Sequence, residues 1–391
     1  MSSRSTLDFL KTETGAGLVL ALAAFVAIVW ANSPWAAGYT ALVTQVAPVQ
    51  VGPFFAEMTL AGWVKTALMP IFFFVVGLEI KHEVLRGELA NPRRLALPVI
   101  AALGGALIPA LIYLAFNAGA GGRPEGWATP VATDIAFALA ALAVAGRRLP
   151  PSLRIFLLTL AIVDDLAAVL LIAVLFTEGL RPAMLGGALA TVAVLVAMSR
   201  WRQAPYVFWA VAGLLLWGFT LKSGVNTSLA GIAVAFCAPL EPKRPGGQGV
   251  LSEMMEALHP YVAYFILPLF AFTAAGFSLS GAGVLGPISL GVAAGLFFGK
   301  QIGVFGAAAL VLALKWARRP TGAKWLELYG VAALCGVGFT MSLYMGDLSF
   351  AQDDALAQAQ VRAGVVLGSV ASALVGMAVL AWSQARRPPD S

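Results

Sequence analysis

The sequence predicts an all-α polytopic membrane protein with twelve transmembrane helices, two of them discontinuous, and a short surface β-hairpin. Three features of the chain point there. Of its 391 residues, 60% are hydrophobic and 11% charged, with a mean hydropathy of +0.87, whereas soluble proteins carry roughly a quarter charged residues. Apolar runs long enough to cross a bilayer recur along the whole chain. The basic residues between them alternate from one side to the other.

A helix rises about 1.5 Å per residue, so a span needs roughly 20 apolar residues, fewer where it is broken or buried. The runs lie at approximately 14–31, 60–81, 95–117, 126–146, 152–176, 183–199, 205–219, 224–237, 256–276, 288–313, 325–346 and 358–383. The first, starting near Thr14, has span length rather than the shorter core of a signal peptide, and is expected to be retained. The loop that follows, 32–58, carries no basic residue. Its segment TQVAPVQVGPFF mixes β-branched residues with Pro48, Gly52 and Pro53, which suits a hairpin on the membrane surface or an irregular loop. The seventh and eighth runs are the shortest. The whole chain, 1–391, reads as one integral membrane domain.

Lysine and arginine test the span count independently. Nineteen of the 25 fall on one side, which the positive-inside rule makes cytoplasmic: Arg4, Lys11, Lys81, Arg86, Arg93, Arg94, Arg147, Arg148, Arg154, Arg200, Arg202, Lys243, Arg244, Lys315, Arg318, Arg319, Lys324, Arg386 and Arg387. The other side holds Arg123, Arg181 and Lys222, while Lys65, Lys300 and Arg362 lie within runs. Both termini are therefore expected in the cytoplasm. The net charge of +6 is spread over these loops, which argues for membrane topology rather than nucleic-acid binding. Cys237 and Cys335 have neither metal-ligand spacing nor a disulfide framework and read as packing residues. Nothing in the chain calls for a cofactor.

Four ionisable residues sit at membrane depth. In LAIVDDLAAVLL (160–171), Asp164 and Asp165 lie at the middle of their run. Each costs about 2.5–3.5 kcal/mol at a helix centre, so together they need a compensating role. Neighbouring helical positions differ by about 100°, so both can line one cavity while facing different partners. A purely structural pair is the alternative, although serine or asparagine would hold helices together at lower cost. Lys300, in GLFFGKQIG, is a buried cation or else a side chain snorkelling to the surface. Asp134 follows Thr129, Pro130 and Thr133, and the proline interrupts the helical ladder and frees backbone groups that need new partners.

A second interruption is expected in ALCGVGFTMSLYMG (333–346), where Gly336 and Gly338 precede Thr340. Each broken run is the middle of three: 95–176 starts on the cytoplasmic side and 288–383 on the other. That is the order of inverted-topology repeats, in which half-helix ends meet near the midplane and form an ion site. Like dipole ends then approach one another. Asp134 is expected to neutralise the two N-termini and Lys300 the two C-termini.

Several stretches resemble the NhaA-type sodium/proton antiporters of bacterial inner membranes: FFFVVGLEIKHE (72–83), TPVATDIAFALA (129–140), LAIVDDLAAV (160–169), KSGVNTSLAGIAVAF (222–236), LHPYVAYFILPLFAF (258–272), GKQIG (299–303) and CGVGFTMSL (335–343). The resemblance implies that Asp164 and Asp165 carry sodium and protons, with Asp165 the more direct sodium ligand and Asp164 paired with Lys300. It places Asp134 and Thr133 at the crossing of the broken helices. It links Glu79, Glu256 and His259 to pH response, although His259, before Pro260, also reads as a cap or interfacial residue. It further implies Na+, Li+ and H+ as substrates, and a homodimer formed through the 44–58 hairpin in the membrane lipid. One residue departs from the pattern: Asn226 stands where well-known members carry a histidine, and an amide cannot titrate near neutral pH.

Exchange follows from competition. Burial and mutual repulsion raise the proton affinity of paired carboxylates, so protons and sodium contend for the same oxygens. If only an occupied site can change the side to which it opens, competition becomes obligatory antiport, with about two protons per sodium ion and net charge movement. A sodium-coupled symporter of a small organic anion is the competing reading. An intramembrane aspartyl protease would need acids converging from separate helices, and the only GD, Gly346–Asp347, lies at a membrane edge. No enzyme activity is expected.

Overall fold

The computed structural model describes residues 13–51, 54–90, 92–119, 121–146, 149–177, 179–201, 204–241, 249–279 and 284–386. The basic residues Arg4, Lys11, Arg147, Arg148, Arg202, Lys243, Arg244 and Arg387, and the hairpin residues Gly52 and Pro53, lie outside them.

Among the described residues, nine helices are long and apolar enough to cross a membrane, and one bent pair passes the same test as a single span. The long helices are α1 (Glu13–Ala31), α3 (Leu60–Arg86), α4 (Pro92–Phe116), α6 (Pro151–Leu175), α7 (Pro182–Ser199), α8 (Tyr206–Ser223), α10 (Val250–Ala275), α11 (Pro287–Ala313) and α14 (Ala355–Ala385). The bent pair is α12 (Trp325–Leu334) and α13 (Phe339–Ser349), which turn by 43° at their break. The remaining expected runs hold α5 (Ile135–Ala145) and α9 (Ser228–Cys237), 11 and 10 residues long and too short to span alone. A helix not foreseen, α2 (Ala36–Thr44), occupies the first loop.

The surface segment is a hairpin: β1 (Val46–Val51) pairs antiparallel with β2 (Phe54–Thr59) in a register from Val46↔Thr59 to Val51↔Phe54. Two bonds from the helices hold it. Trp63 Nε1 donates to Ala47 O at 2.7 Å and Lys222 Nζ donates to Phe55 O at 2.6 Å.

The chain divides into two units. The first comprises 1–36, 91–168 and 274–391, the second 37–90 and 169–273. Leu97, Leu139, Leu157, Val304, Leu328 and Leu380 lie in the core of the first; Leu78, Leu195, Trp209, Leu216 and Leu251 lie in that of the second. Outward positions are apolar as well, with Phe25, Leu107 and Val174 exposed, as expected where lipid replaces water. Small residues set the helix spacing. In the first unit a Cβ at Gly104 or at Gly303 would strike the other's carbonyl, and one at Gly299 would lie 2.7 Å from Pro109 Cα. Glycine therefore lets α4 and α11 touch backbone to backbone, which explains the glycines of GKQIG on either side of Lys300.

Candidate functional site

In the first unit, two irregular segments meet. Residues 129–134 separate a 3-10 turn, Pro124–Ala128, from the start of α5. Residues 335–338 separate α12 from α13. Pro130 cannot donate to a helical ladder, which accounts for the first break. The second depends on close approach: a Cβ at Gly336 would overlap Ser372 Oγ and Leu296 O, and one at Gly338 would overlap Ser342 Oγ. The segments bond directly, with Asp134 N–H donating to Val337 O at 2.7 Å and Thr133 Oγ1 lying 2.9 Å from Cys335 O.

Asp134 serves two helix ends. Its Oδ1 accepts from Phe137 N at 3.0 Å, capping α5, and its Oδ2 accepts from Thr340 N at 3.0 Å and from Thr340 Oγ1, at the start of α13. A buried carboxylate between two helix N-termini answers orphan amides and partial positive charge at once. Ser369 Oγ on α14 takes two further donors of the same break, Gly338 N and Phe339 N, each at 3.2 Å.

Lys300 and Asp164 form an ion pair with Nζ to Oδ2 at 2.5 Å, both side chains at most 1% exposed. Thr133 Oγ1 donates to the same Oδ2 at 2.6 Å. Since Thr133 has one hydroxyl hydrogen, the carboxylate and Cys335 O share it. Asp164 Oδ1 is buried with no hydrogen-bond partner among the described residues. Asp165, next along α6, is 2% exposed. The cation that accompanies the helix carbonyl ends in the sequence reading is thus placed against Asp164, and a hydroxyl, Thr133, reaches the carbonyl of Cys335.

The structure brings Thr133, Asp134, Asp164, Lys300 and Thr340 into one buried network around the two breaks. Thr129 is fully buried, but its hydroxyl has no partner among the described residues, and its side chain lies against Gly346 of α13. Glu79, Glu256 and His259 come together elsewhere, in the second unit, where with Val75, Met255 and Pro260 they line a cleft of about 310 Å³. Asn226 Oδ1 accepts from Ser228 N at 3.0 Å, a local turn bond at the start of α9.

Sequence reasoning missed Ser342, Ser369 and Ser372. Small hydroxyls are common in membrane helices, so nothing local marks these serines. It also missed the backbone of α11, where the amide of Lys300 donates five residues back, to Gly295 O, in a π-turn. Such turns concentrate at functional positions, and an aromatic-glycine run before a buried lysine is the one local hint.

The arrangement can hold a proton or a hard cation. Two adjacent carboxylates, a threonine hydroxyl and the carbonyls of a broken helix can all supply oxygen ligands, and Asp164 Oδ1 has no hydrogen-bond partner among the described residues.

Comparison with known proteins gives the same direction. Residues 7–380 match the family described as Na+/H+ antiporter 1. The chain is 48% identical to Na(+)/H(+) antiporter NhaA 2 of Pseudomonas syringae pv. syringae, covering 95% of this chain and 93% of that one. It is 47% identical to Na(+)/H(+) antiporter NhaA of Nitrobacter hamburgensis, covering 97% and 92%, and 44% identical to that of Rhodospirillum rubrum, covering 100% and 99%. With buried acids, broken helices and a family match across nearly all of its length, this chain belongs to the Na+/H+ antiporter 1 family.

Proposed function

We propose that the protein is a secondary active sodium/proton antiporter, and that Asp164 and Asp165 carry its substrates. One observation supports the reading most directly: Asp164 keeps one oxygen on Lys300 and Thr133, while its other oxygen is buried and has no hydrogen-bond partner among the described residues. A dehydrated oxygen of this kind binds a proton or displaces it for a cation, and the two occupants exclude each other. Sodium arriving at the pair takes Asp165 as its direct ligand, with Thr133 and the freed carbonyls completing an oxygen shell. Protons leave as it binds.

Occupied sites open alternately to the two sides, and empty sites do not, so each sodium ion moved outward brings protons in. With about two protons per sodium ion the cycle carries net charge, and the membrane potential drives it along with the proton gradient. Lithium, small and hard like sodium, is also carried. Asp134 and Thr340 keep the crossing of the twelve-span bundle in register, and the stretches 95–176 and 288–383 are inverted repeats of one another. Glu79, Glu256 and His259 set the pH response. The protein sits in the inner membrane of a bacterium, with both termini in the cytoplasm, and the 44–58 hairpin joins two copies into a homodimer.

The test is direct. Purified protein in proteoliposomes holding an acid-inside pH gradient should release protons when sodium is added outside, with no other solute. Loss of that sodium response in Asp165→Asn is expected; a full response in that variant moves the site elsewhere.

A further inference from the structure

Resting on the proposed exchange, the backbone around Lys300 carries one further assignment. An α-helix bonds each amide to the carbonyl four residues back. At Lys300 the amide reaches Gly295 O instead, so α11 widens there, and a second widened turn, Gln301–Phe305, follows immediately. Widened turns misplace carbonyl groups and persist only where other donors meet them. Two side-chain donors do so. Gln301 Nε2 donates to Phe297 O at 2.8 Å, the carbonyl its own amide would take in an α-helix, and Ser372 Oγ lies 3.5 Å from Leu296 O.

Gln301 is itself held from a different helix. Its Oε1 accepts from Tyr329 OH of α12 at 2.5 Å. The Tyr329 ring packs edge-on against Phe305, one helical turn beyond Gln301, with centroids 5.4 Å apart. A chain of contacts thus runs from α12 through Tyr329 and Gln301 to the turn from which Lys300 reaches Asp164. Neither residue touches the acids in any bond described above.

We propose that Gln301 and Tyr329 are positioning residues for the exchange: together they hold the widened turn of α11 and so keep Lys300 Nζ on Asp164. When Nζ leaves Asp164, the oxygens it oriented are free to turn away from the sodium position, so sodium binds more weakly while the rate at saturating sodium is kept. The readout is therefore a rise in KM without a matching fall in maximal rate, which general loss of packing would not give.

The experiment uses full-length protein in proteoliposomes, measuring sodium-driven proton release from pH 6 to 9 for the parent, Gln301→Leu, Tyr329→Phe and the double variant. Each single variant should raise the apparent KM for sodium about threefold to tenfold across that range, with maximal rate at saturating sodium within about twofold of the parent. The double variant should be no worse than the more affected single one, since both act through one path. Gln301→Leu can fail to reach the membrane; Tyr329→Phe removes only one oxygen and then decides alone. An unchanged KM in a folded Tyr329→Phe overturns the assignment, as does a loss of maximal rate without a rise in KM. Absence of sodium-driven proton release from the parent would instead overturn the proposed function.

Discussion

Asp164 and Lys300 stand 136 positions apart in the chain, yet their charged ends meet at 2.5 Å, with both side chains at most 1% exposed. Each carries the desolvation cost of a buried charge and each is the other's compensation. Removing one partner is therefore worse than removing both. Lys300→Ala should lower stability by about 3–5 kcal/mol, read as a fall in melting temperature in detergent, and Lys300→Met combined with Asp164→Asn should recover most of it. A Lys300→Ala protein that melts with the parent would show that the pair contributes nothing.

Asp134→Ala leaves the amides of Phe137 and Thr340 without their acceptor. With an acceptor lost at two helix ends, the expected cost is roughly 2–4 kcal/mol. Asp134→Asn, which keeps an acceptor oxygen, should fall between the two. Thermal unfolding of the three proteins ranks them, and an unchanged melting temperature for the alanine variant would remove Asp134 from the capping role.

Gly336→Ala tests the crossing by volume alone. The added methyl group meets Ser372 Oγ and the backbone carbonyl of Leu296, and the carbonyl cannot swing aside as a side chain would. A loss of about 1–3 kcal/mol is expected. Gly306→Ala, on the same helix as Lys300 but with open space around it, serves as the control and should melt with the parent.

Acidification should weaken sodium binding, because both occupants use the same oxygens. Below the pH at which the pair fills with protons, apparent affinity should drop about tenfold per pH unit for each proton displaced, and by reciprocity sodium should release protons into a weakly buffered medium. Calorimetry in two buffers of different ionisation enthalpy counts them. A sodium affinity that is flat from pH 6 to 9 contradicts a shared site.

Outside the spans, the carboxyl of Asp354 is held below the usual carboxylate range, first by the Ala357 amide it caps and then by the Arg123 guanidinium at 2.8 Å. A depressed carboxylate stabilises the fold above its unfolded value and loses that contribution as pH falls through its folded value. Asp354→Ala should therefore melt below the parent at neutral pH, and the gap should close only as pH falls below the ordinary carboxylate range. A gap that persists undiminished well below the carboxylate range would assign the effect to packing.

Much of this was legible in the chain. The long helices follow from apolar runs of span length, and both breaks are written locally, in Pro130 and in the glycines 336 and 338. Asp164, Asp165, Asp134 and Lys300 stand out because each is expensive where it lies. The helix at Ala36–Thr44 was hidden in a loop with no periodic signal, and Ser369 and Gln301 were hidden because their polar atoms answer backbone groups that only a neighbouring helix or a widened turn exposes.

By itself, the sequence determined which stretches are apolar enough to form long helices, where its helices must break, and which side chains would be costly at depth, since hydropathy, ring closure at proline and the missing Cβ of glycine act within a few residues. The tertiary structure decided who meets whom. Asp134 reaches Thr340 across 206 positions and Lys300 reaches Asp164 across 136, because a buried charge is neutralised by whatever packs against it, and packing is a property of the assembled helices.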